Sequence, residues 1–304
     1  MGGIAIALGG NALRPADGGD FRDQRRQVRE TAAQLATIAA RGHDIVVTHG
    51  NGPQVGDLLL EQEASGSGGG RPLDVLGAET QAQIGYDLQR ELRAALDGPA
   101  ATIVTLTEVD PEDPAFDEPT KPVGPYYDAD ENRDLPFPTM QVQTSTGEYQ
   151  YRRVVPSPEP LEILEAEQIE ALMDRGTTVV CTGGGGIPVV REHGSIEGVE
   201  AVIDKDRGTQ VLANEIGVDE FILLTDVDAA YLDFGTPDQR ALRSVTPSEL
   251  RKHLDADEFG VGSMAPKVQA AIRFVENGGE RAVITELDKA ADAIEGNAGT
   301  EVVP

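Results

Sequence analysis

Residues 181–212 read CTGGGGIPVVREHGSIEGVEAVIDKDRGTQVL. The apolar run just before and into this stretch, TTVVC (177–181), has the length of a buried strand, and it runs into four consecutive glycines, Gly183 to Gly186. A turn without Cβ atoms lets the backbone approach something closely and offers N–H groups that no side chain screens, so Gly184 and Gly185 are candidates for holding an anion. Some twenty residues on, an apolar EAVI run delivers Lys205 and Asp206 at the start of a helical pattern, DRGTQVLANEIG (206–217). A lysine beside a carboxylate at a helix N-terminus suits a phosphoryl group. The plain alternative is a glycine turn followed by a surface lysine.

The same order of strand, glycines and helix occurs twice near the start of the chain. IAIAL (4–8) runs into Gly9-Gly10-Asn11, and DIVVTH (44–49) runs into Gly50-Asn51-Gly52, with Pro53 as the first residue of a helix. Between them, residues 23–40 have helical periodicity with Val28, Leu35 and Ile38 inward and Gly42 closing the helix. Two such units predict parallel strands whose loops gather at their carboxyl ends, the edge where α/β folds bind ligands. Each glycine pair could be only a tight turn. Three at one edge point to a site: the N–H groups of Gly9, Gly10, Gly50 and Gly52, with the amides of Asn11 and Asn51, would suit a small planar anion or a phosphate. His49 is a candidate to line it.

Further along, GSGGGRP (66–72) reads as a flexible loop, 73–96 as a helix and TIVTL (102–106) as a strand. Residues 109–160 are rich in proline and carry scattered aromatics, too long a stretch for a loop in a compact core. They predict a small β-rich excursion over the loop ends. A helix is expected over 160–175, a strand at FILLT (221–225), helices at SELRKHL (248–254) and PKVQAAIRFVENGG (266–279), a strand at RAVIT (281–285) and a terminal edge strand at TEVV (300–303). Asp226 and Asp228, after FILLT, are either caps or nucleotide contacts.

The charge balance narrows the function. The chain has 25 basic and 53 acidic side chains, a formal charge of −28, which disfavours nucleic acid or an anionic membrane as partner. Such self-repulsion is relieved by molar salt, and with few lysines and no Trp it points to a salt-rich cytoplasm. No apolar stretch of spanning length and no signal-like opening occurs, so a cytoplasmic location is expected. The single Cys181 excludes an intrachain disulfide and a multi-cysteine metal site, and is read as a small buried residue. Only five lysines occur, and three of them, Lys121, Lys205 and Lys267, stand in loops flanked by glycine or proline. A sequence that avoids surface lysine has reason to keep these, and a phosphoryl site needs ammonium charges. Lys252 and Lys289 lie on helical patterns and are expected to be solvated. The P-loop pattern and the protein-kinase triplets are absent.

The motifs ALGGNAL (7–13), VVTHGNGPQVG (46–56), KPVGPYY (121–127), RRVVPSPEP (152–160), CTGGGGIPVV (181–190), EAVIDKD (200–206), LLTDVDAAY (223–231), GSMAPKVQAAIRFVENGG (262–279) and AVITELDKAADAIEG (282–296) cover nearly the whole chain. In that order they resemble the carbamate kinases, within the amino acid kinase superfamily. The first loop has no lysine, as in carbamate kinases and unlike many superfamily members. The resemblance implies a homodimer of αβα sandwiches, three layers around a mainly parallel open sheet of about eight strands, plus a protruding subdomain at 109–160. It implies an amino-terminal lobe (1–198) for carbamate or carbamoyl phosphate and a carboxyl-terminal lobe (199–304) for ADP or ATP. Lys205 and Lys267 would flank the transferred phosphoryl group, Asp206 would orient them, Lys121 would reach the substrate, and Gly9, Gly10 and Asn11 would donate from below. Nucleotide contacts would fall on Thr225, Asp226, Asp228, Tyr231 and Met264. Mg²⁺ would be held mainly by nucleotide phosphates and water rather than by a metal site of the protein. The reaction implied is reversible transfer between ATP and carbamate, serving ATP generation in arginine breakdown or carbamoyl phosphate supply. Another small-acid kinase of the superfamily is the near alternative. A non-catalytic nucleotide-sensing module is the distant one, since it would tolerate loss of lysines that are all present.

Overall fold

The computed structural model describes residues 2–14, 20–65, 70–144, 147–259 and 264–304. Most of the predicted 66–72 loop, and Gly262 and Ser263 of the GSMAPK stretch, lie outside the described residues. The chain begins β1 (Gly3–Leu8), α1 (Phe21–Ala39), β2 (Asp44–His49), α2 (Gly52–Ser65), α3 (Leu73–Ala95) and β3 (Ala100–Thr102). Five strands follow: β4 (Leu106–Val109), β5 (Lys121–Tyr127), β6 (Thr139–Gln143), β7 (Tyr149–Val155) and β8 (Pro160–Ile163). Then come α4 (Ala166–Met173), β9 (Thr178–Val180), β10 (Ile187–Glu192), β11 (Ser195–Gly198), α5 (Lys205–Glu215) and β12 (Glu220–Thr225). The chain closes with β13 (Tyr231–Leu232), β14 (Arg240–Ala241), β15 (Ser244–Val245), α6 (Pro247–Asp255), α7 (Met264–Glu276), β16 (Arg281–Glu286), α8 (Ala290–Ile294) and β17 (Thr300–Val302).

The main sheet has eight strands in the order β15-β17-β16-β12-β1-β2-β9-β3. All its pairings are parallel except β16 with β17. The alternation in IAIAL sets the layers. Ile4, Ile6 and Leu8 pack with Val28, Leu35 and Ile38 of α1 and Ile84, Leu88 and Leu92 of α3. Ala5 and Ala7 face the other way, toward Leu212 of α5 and Val268, Ile272 and Phe274 of α7. Small residues on that face let α5 come close to the sheet, while each large aliphatic buried on either face contributes about 1.5–3 kcal/mol. The result is a mainly parallel αβα sandwich. β1 lies between β2, its successor, and β12, which arrives late in the chain, so the strand order reverses beside Gly9. Such a switch point opens a crevice at the carboxyl ends of the strands.

Helix α1 starts where a capping box allows it: the Asp20 side chain accepts from the Arg22 and Asp23 N–H groups, and Asp23 answers to Asp20 N. The excursion is β-rich as expected, a three-stranded antiparallel sheet in the order β5-β7-β6. Three expectations are corrected. TIVTL is not one strand: β3 ends at Thr102 in the main sheet, and Leu106 opens β4 in a separate four-stranded sheet, β11-β10-β4-β8. The break is held by Gln81, whose Oε1 accepts from Thr105 N (2.8 Å) and whose Nε2 donates to Thr105 O (3.1 Å). The helix over 160–175 shortens to α4, because 160–163 pair with β4 and bury Pro160 and Ile163 while Leu161 stays exposed. TEVV is not an edge strand, since the two-residue β15 covers it. Among the described residues no helix is long and apolar enough to cross a membrane.

Candidate active site

Asp204 caps the start of α5, its Oδ1 accepting from the N–H groups of Asp206 (3.0 Å) and Arg207 (3.3 Å). The first helical residue is Lys205. Its Nζ donates to Asp206 Oδ1 at 2.7 Å, and Lys267 Nζ, from the first turns of α7, donates to Asp206 Oδ2 at 2.9 Å. Three residues that the sequence singled out thus meet at one carboxylate, with side chains only 15%, 4% and 5% exposed for Lys205, Asp206 and Lys267. The first turn of α5 is pinned to β2, where Thr209 Oγ1 lies 2.6 Å from Thr48 Oγ1 and also donates to Lys205 O. Burial would raise the Asp206 carboxyl, but the two lysines hold it below the usual carboxylate range. Burial and the neighbouring Lys267 push the Lys205 ammonium down, against the pull of Asp206. Two ammonium groups against one carboxylate leave a net positive charge in a site largely screened from water, where charge acts more strongly than in bulk solvent.

Around this cluster stand the three glycine turns. In the turn after β9, Thr182 and Gly184 to Gly186 all have positive φ. A Cβ on Gly184 would fall 2.3 Å from the Asn51 amide nitrogen, one on Gly185 2.8 Å from Ile203, and one on Gly186 1.8 Å from Thr107 Oγ1. The N–H groups of Gly185 and Gly186 donate back to Thr182 O and Gly183 O. The expectation that these glycines offer free N–H donors is therefore corrected at Gly185: the turn is a packed knot, although Gly184 and Gly185 do lie against Asn51 and the approach to Asp204. Gly50 is corrected in the same way, since its N–H is engaged with Leu8 O at 3.3 Å, while its Cα rests over the Lys205 stem. Asn51 donates to Thr80 Oγ1 (2.9 Å), and Gly52 opens α2 at the surface. The turn after β1 is open: Gly10 is exposed, a Cβ on it would meet nothing within 4 Å, and Asn11 follows in a single 3₁₀ turn.

Lys121, at the first position of β5, donates to Asp204 Oδ2 at 2.8 Å. Thr225 ends β12, beside the Gly9 turn, where a Cβ on Gly9 would lie 3.0 Å from Leu224 O. Asp226 and Asp228 follow, and the Tyr231 hydroxyl donates to Asp228 Oδ1 at 2.5 Å, which raises the phenol. Half-buried Met264 begins α7, three residues before Lys267. Lys252 and Lys289 are exposed, as expected. Cys181 is free and buried, with its thiol pushed up to about 12 by burial. His49 is buried with Nδ1 3.0 Å from Gly50 O, and burial lowers it to about 4, so it is neutral at working pH. Sequence reasoning missed Asp204, although an Asp just before a helical pattern is a cap signal that could have found it. It also missed Glu159, whose two oxygens accept from Arg207 (2.6 Å) and Arg273 (2.7 Å) and so tie α5 to α7.

This crevice, with lysines from two helices converging at the carboxyl edge of a parallel sheet, has counterparts. The amino acid kinase family model matches residues 3–286. The chain belongs to the amino acid kinase family, within its carbamate kinase branch. The carbamate kinase of Halobacterium salinarum is 54% identical over 299 residues, covering 98% of this chain and 97% of that one. The Pyrococcus furiosus carbamate kinase is 48% identical, covering 99% of both chains. Among solved structures, carbamate kinase from Giardia lamblia bound to AMP-PNP superposes with a TM-score of 0.89 at 41% identity, covering 99% of this chain and 98% of that one. The protein is a kinase.

Proposed function

We propose that the protein transfers a phosphoryl group reversibly between ATP and carbamate, giving ADP and carbamoyl phosphate. The observation that carries this reading is the pair of ammonium groups, Lys205 and Lys267, on the two oxygens of buried Asp206. Each ammonium spends one N–H on Asp206 and has others for the oxygens of a transferring phosphoryl group. Carbamate is already an anion, so the reaction needs positioning and charge neutralisation rather than a base. Asp206, held ionised by its lysines, orients them and exchanges no proton near neutral pH. Lys121 serves the carbamoyl phosphate side, with Gly9, Gly10 and Asn11 beneath the phosphoryl group and Gly50, Asn51, Gly52, Gly184 and Gly185 shaping the anion's surroundings. Thr225, Asp226, Asp228, Tyr231 and Met264 hold the nucleotide. The Giardia relatives solved with AMP-PNP and with citric acid support a nucleotide and a carboxylate anion as ligand classes.

Mg²⁺ would neutralise phosphate charge and would be held mainly by the nucleotide and water, since both oxygens of Asp206 already accept from lysines. On the same reading residues 1–198 form the substrate lobe and 199–304 the nucleotide lobe, meeting where β1 pairs with β12, and the protein works as a cytoplasmic homodimer that makes ATP during arginine breakdown. The test is ATP formation from ADP and carbamoyl phosphate, followed in a coupled assay in molar KCl. No ATP above a Lys267→Ala control would overturn the proposal. With a charge of −28, melting temperature and activity are both expected to rise from tens of millimolar to molar KCl, and a flat or falling melt would refute the salt-adapted reading.

A further inference from the structure

The Asp204 carboxylate does two things at once. Oδ1 closes the first turn of α5, and Oδ2 receives the Lys121 ammonium from a strand 83 residues earlier in the chain. The segment leading to it, 200–204, is tied to the excursion and to α3. Glu200 accepts from Leu73 N at 3.1 Å and lies 3.6 Å from Arg153 of β7, and Val202 N donates to Pro156 O at 3.0 Å. The segment then runs directly into Lys205 and Asp206. Asp204 is 13% exposed against 40% for Lys121, so the carboxylate is the fixed member and the lysine the one that reaches solvent and ligand.

A helix cap needs no charge, since Asn and Ser cap as well as Asp. The charge at this position answers to Lys121 instead. Burial would raise the Asp204 carboxyl, yet Lys121, with help from Lys205 and the Arg207 N–H, brings it to about 2. We propose that Asp204 is a positioning residue for phosphoryl transfer: by holding one N–H of Lys121 from the start of α5, it aims the remaining two at the anionic substrate beside Lys205. This rests on the reading that Lys121 serves carbamoyl phosphate. Without Asp204 the long lysine side chain would sample many rotamers in solvent, and the substrate would have to order it on binding.

The experiment is a double-mutant cycle on the full chain in molar KCl, with Asp204→Asn, Lys121→Met and the pair, assayed for ATP synthesis. Asp204→Asn keeps the cap and removes the charge, so the melting temperature should fall modestly with the loss of the pair to Lys121; assayed well below that melt, the KM for carbamoyl phosphate should rise about tenfold while the KM for ADP does not move. Asp204→Ser, which caps but is too short to reach Lys121, should do the same and stands in should the Asn variant fold poorly. In the Lys121→Met background, Asp204→Asn should add nothing, since the residue it acts through is gone. Multiplying effects in the double variant, an equal rise in the KM for ADP, or an unchanged KM for carbamoyl phosphate would each overturn the inference while leaving Lys121 its role. An unchanged carbamoyl phosphate KM in Lys121→Met alone would overturn the role of Lys121 and the inference with it.

Discussion

Gly183–Gly186 after β9 and Gly9–Gly10 after β1 are both glycine turns on the carboxyl edge of one sheet. A Cβ would collide with His49, Asn51, Ile203 or Thr107 at every glycine of the former, and would meet nothing within 4 Å at Gly10 of the latter. Glycine therefore serves two purposes a few residues from one cluster. At the β9 turn it lets parts of the protein approach each other: Gly208 of α5 sits so close that its own Cβ would lie 2.5 Å from Gly185 O. At the β1 turn Gly9 is packed against Leu224, and Gly10 leaves a space open. Packing glycines should register in stability, open ones in ligand use.

The largest effect should come from Gly185→Ala. With φ at +90° and Ile203 at 2.8 Å, neither the backbone nor the space accepts a methyl group, and the loss should be about 3 kcal/mol or more. Denaturant unfolding in molar KCl measures it; a loss below about 1 kcal/mol would mean the knot yields and the contrast fails.

Slightly smaller is the pH response of His49, whose ring lies against Gly183. Its value falls from 6.5 to about 4 on folding, so the unfolded chain takes up a proton before the folded one does. The stability this contributes is present in full above pH 6.5 and is lost as pH falls through 4, a change of about 3 kcal/mol in all. His49→Gln should be less stable at neutral pH yet lose this slope, as melts across the window would reveal. An unaltered slope would assign the acid sensitivity elsewhere.

Lys267→Met tests the cluster between the turns. Losing one preorganised ammonium should lower kcat about a hundredfold, equivalent to about 2.7 kcal/mol. Because Lys267 is buried against Asp206, some stability should go with it, so the variant is assayed well below its melting point. Exposed Lys252→Ala should match wild type, and a near-normal kcat in Lys267→Met would remove that lysine from the chemistry.

Gly10→Ala should have the smallest effect on folding, within about 0.5 kcal/mol, because the added methyl meets open space. If that space belongs to the ligand, the KM for carbamoyl phosphate should still rise severalfold, and the larger Gly10→Val should raise it further. Unchanged kinetics in both variants would show that the open turn is merely open.

Much of this was legible in the chain. IAIAL showed itself as a buried strand running into glycines, while the layer that each of its faces meets was decided only by where α1, α3, α5 and α7 pack. The scarcity of lysine marked Lys121, Lys205 and Lys267 before any contact was known. TIVTL looks like one strand because no local pattern says that Gln81, on a helix passed earlier, takes both backbone groups of Thr105 and splits the run between two sheets. In the four glycines of the β9 turn the sequence shows missing Cβ atoms but not that Asn51, Ile203 and Thr107 fill their places. Lys267 and Asp206 stand 61 residues apart, and Lys121 and Asp204 stand 83 apart. Such pairs meet only after the sheet has set the positions of α5, α7 and the excursion. Periodicity is a short-range property of the chain, whereas a site is a set of distances, and those belong to the packed molecule.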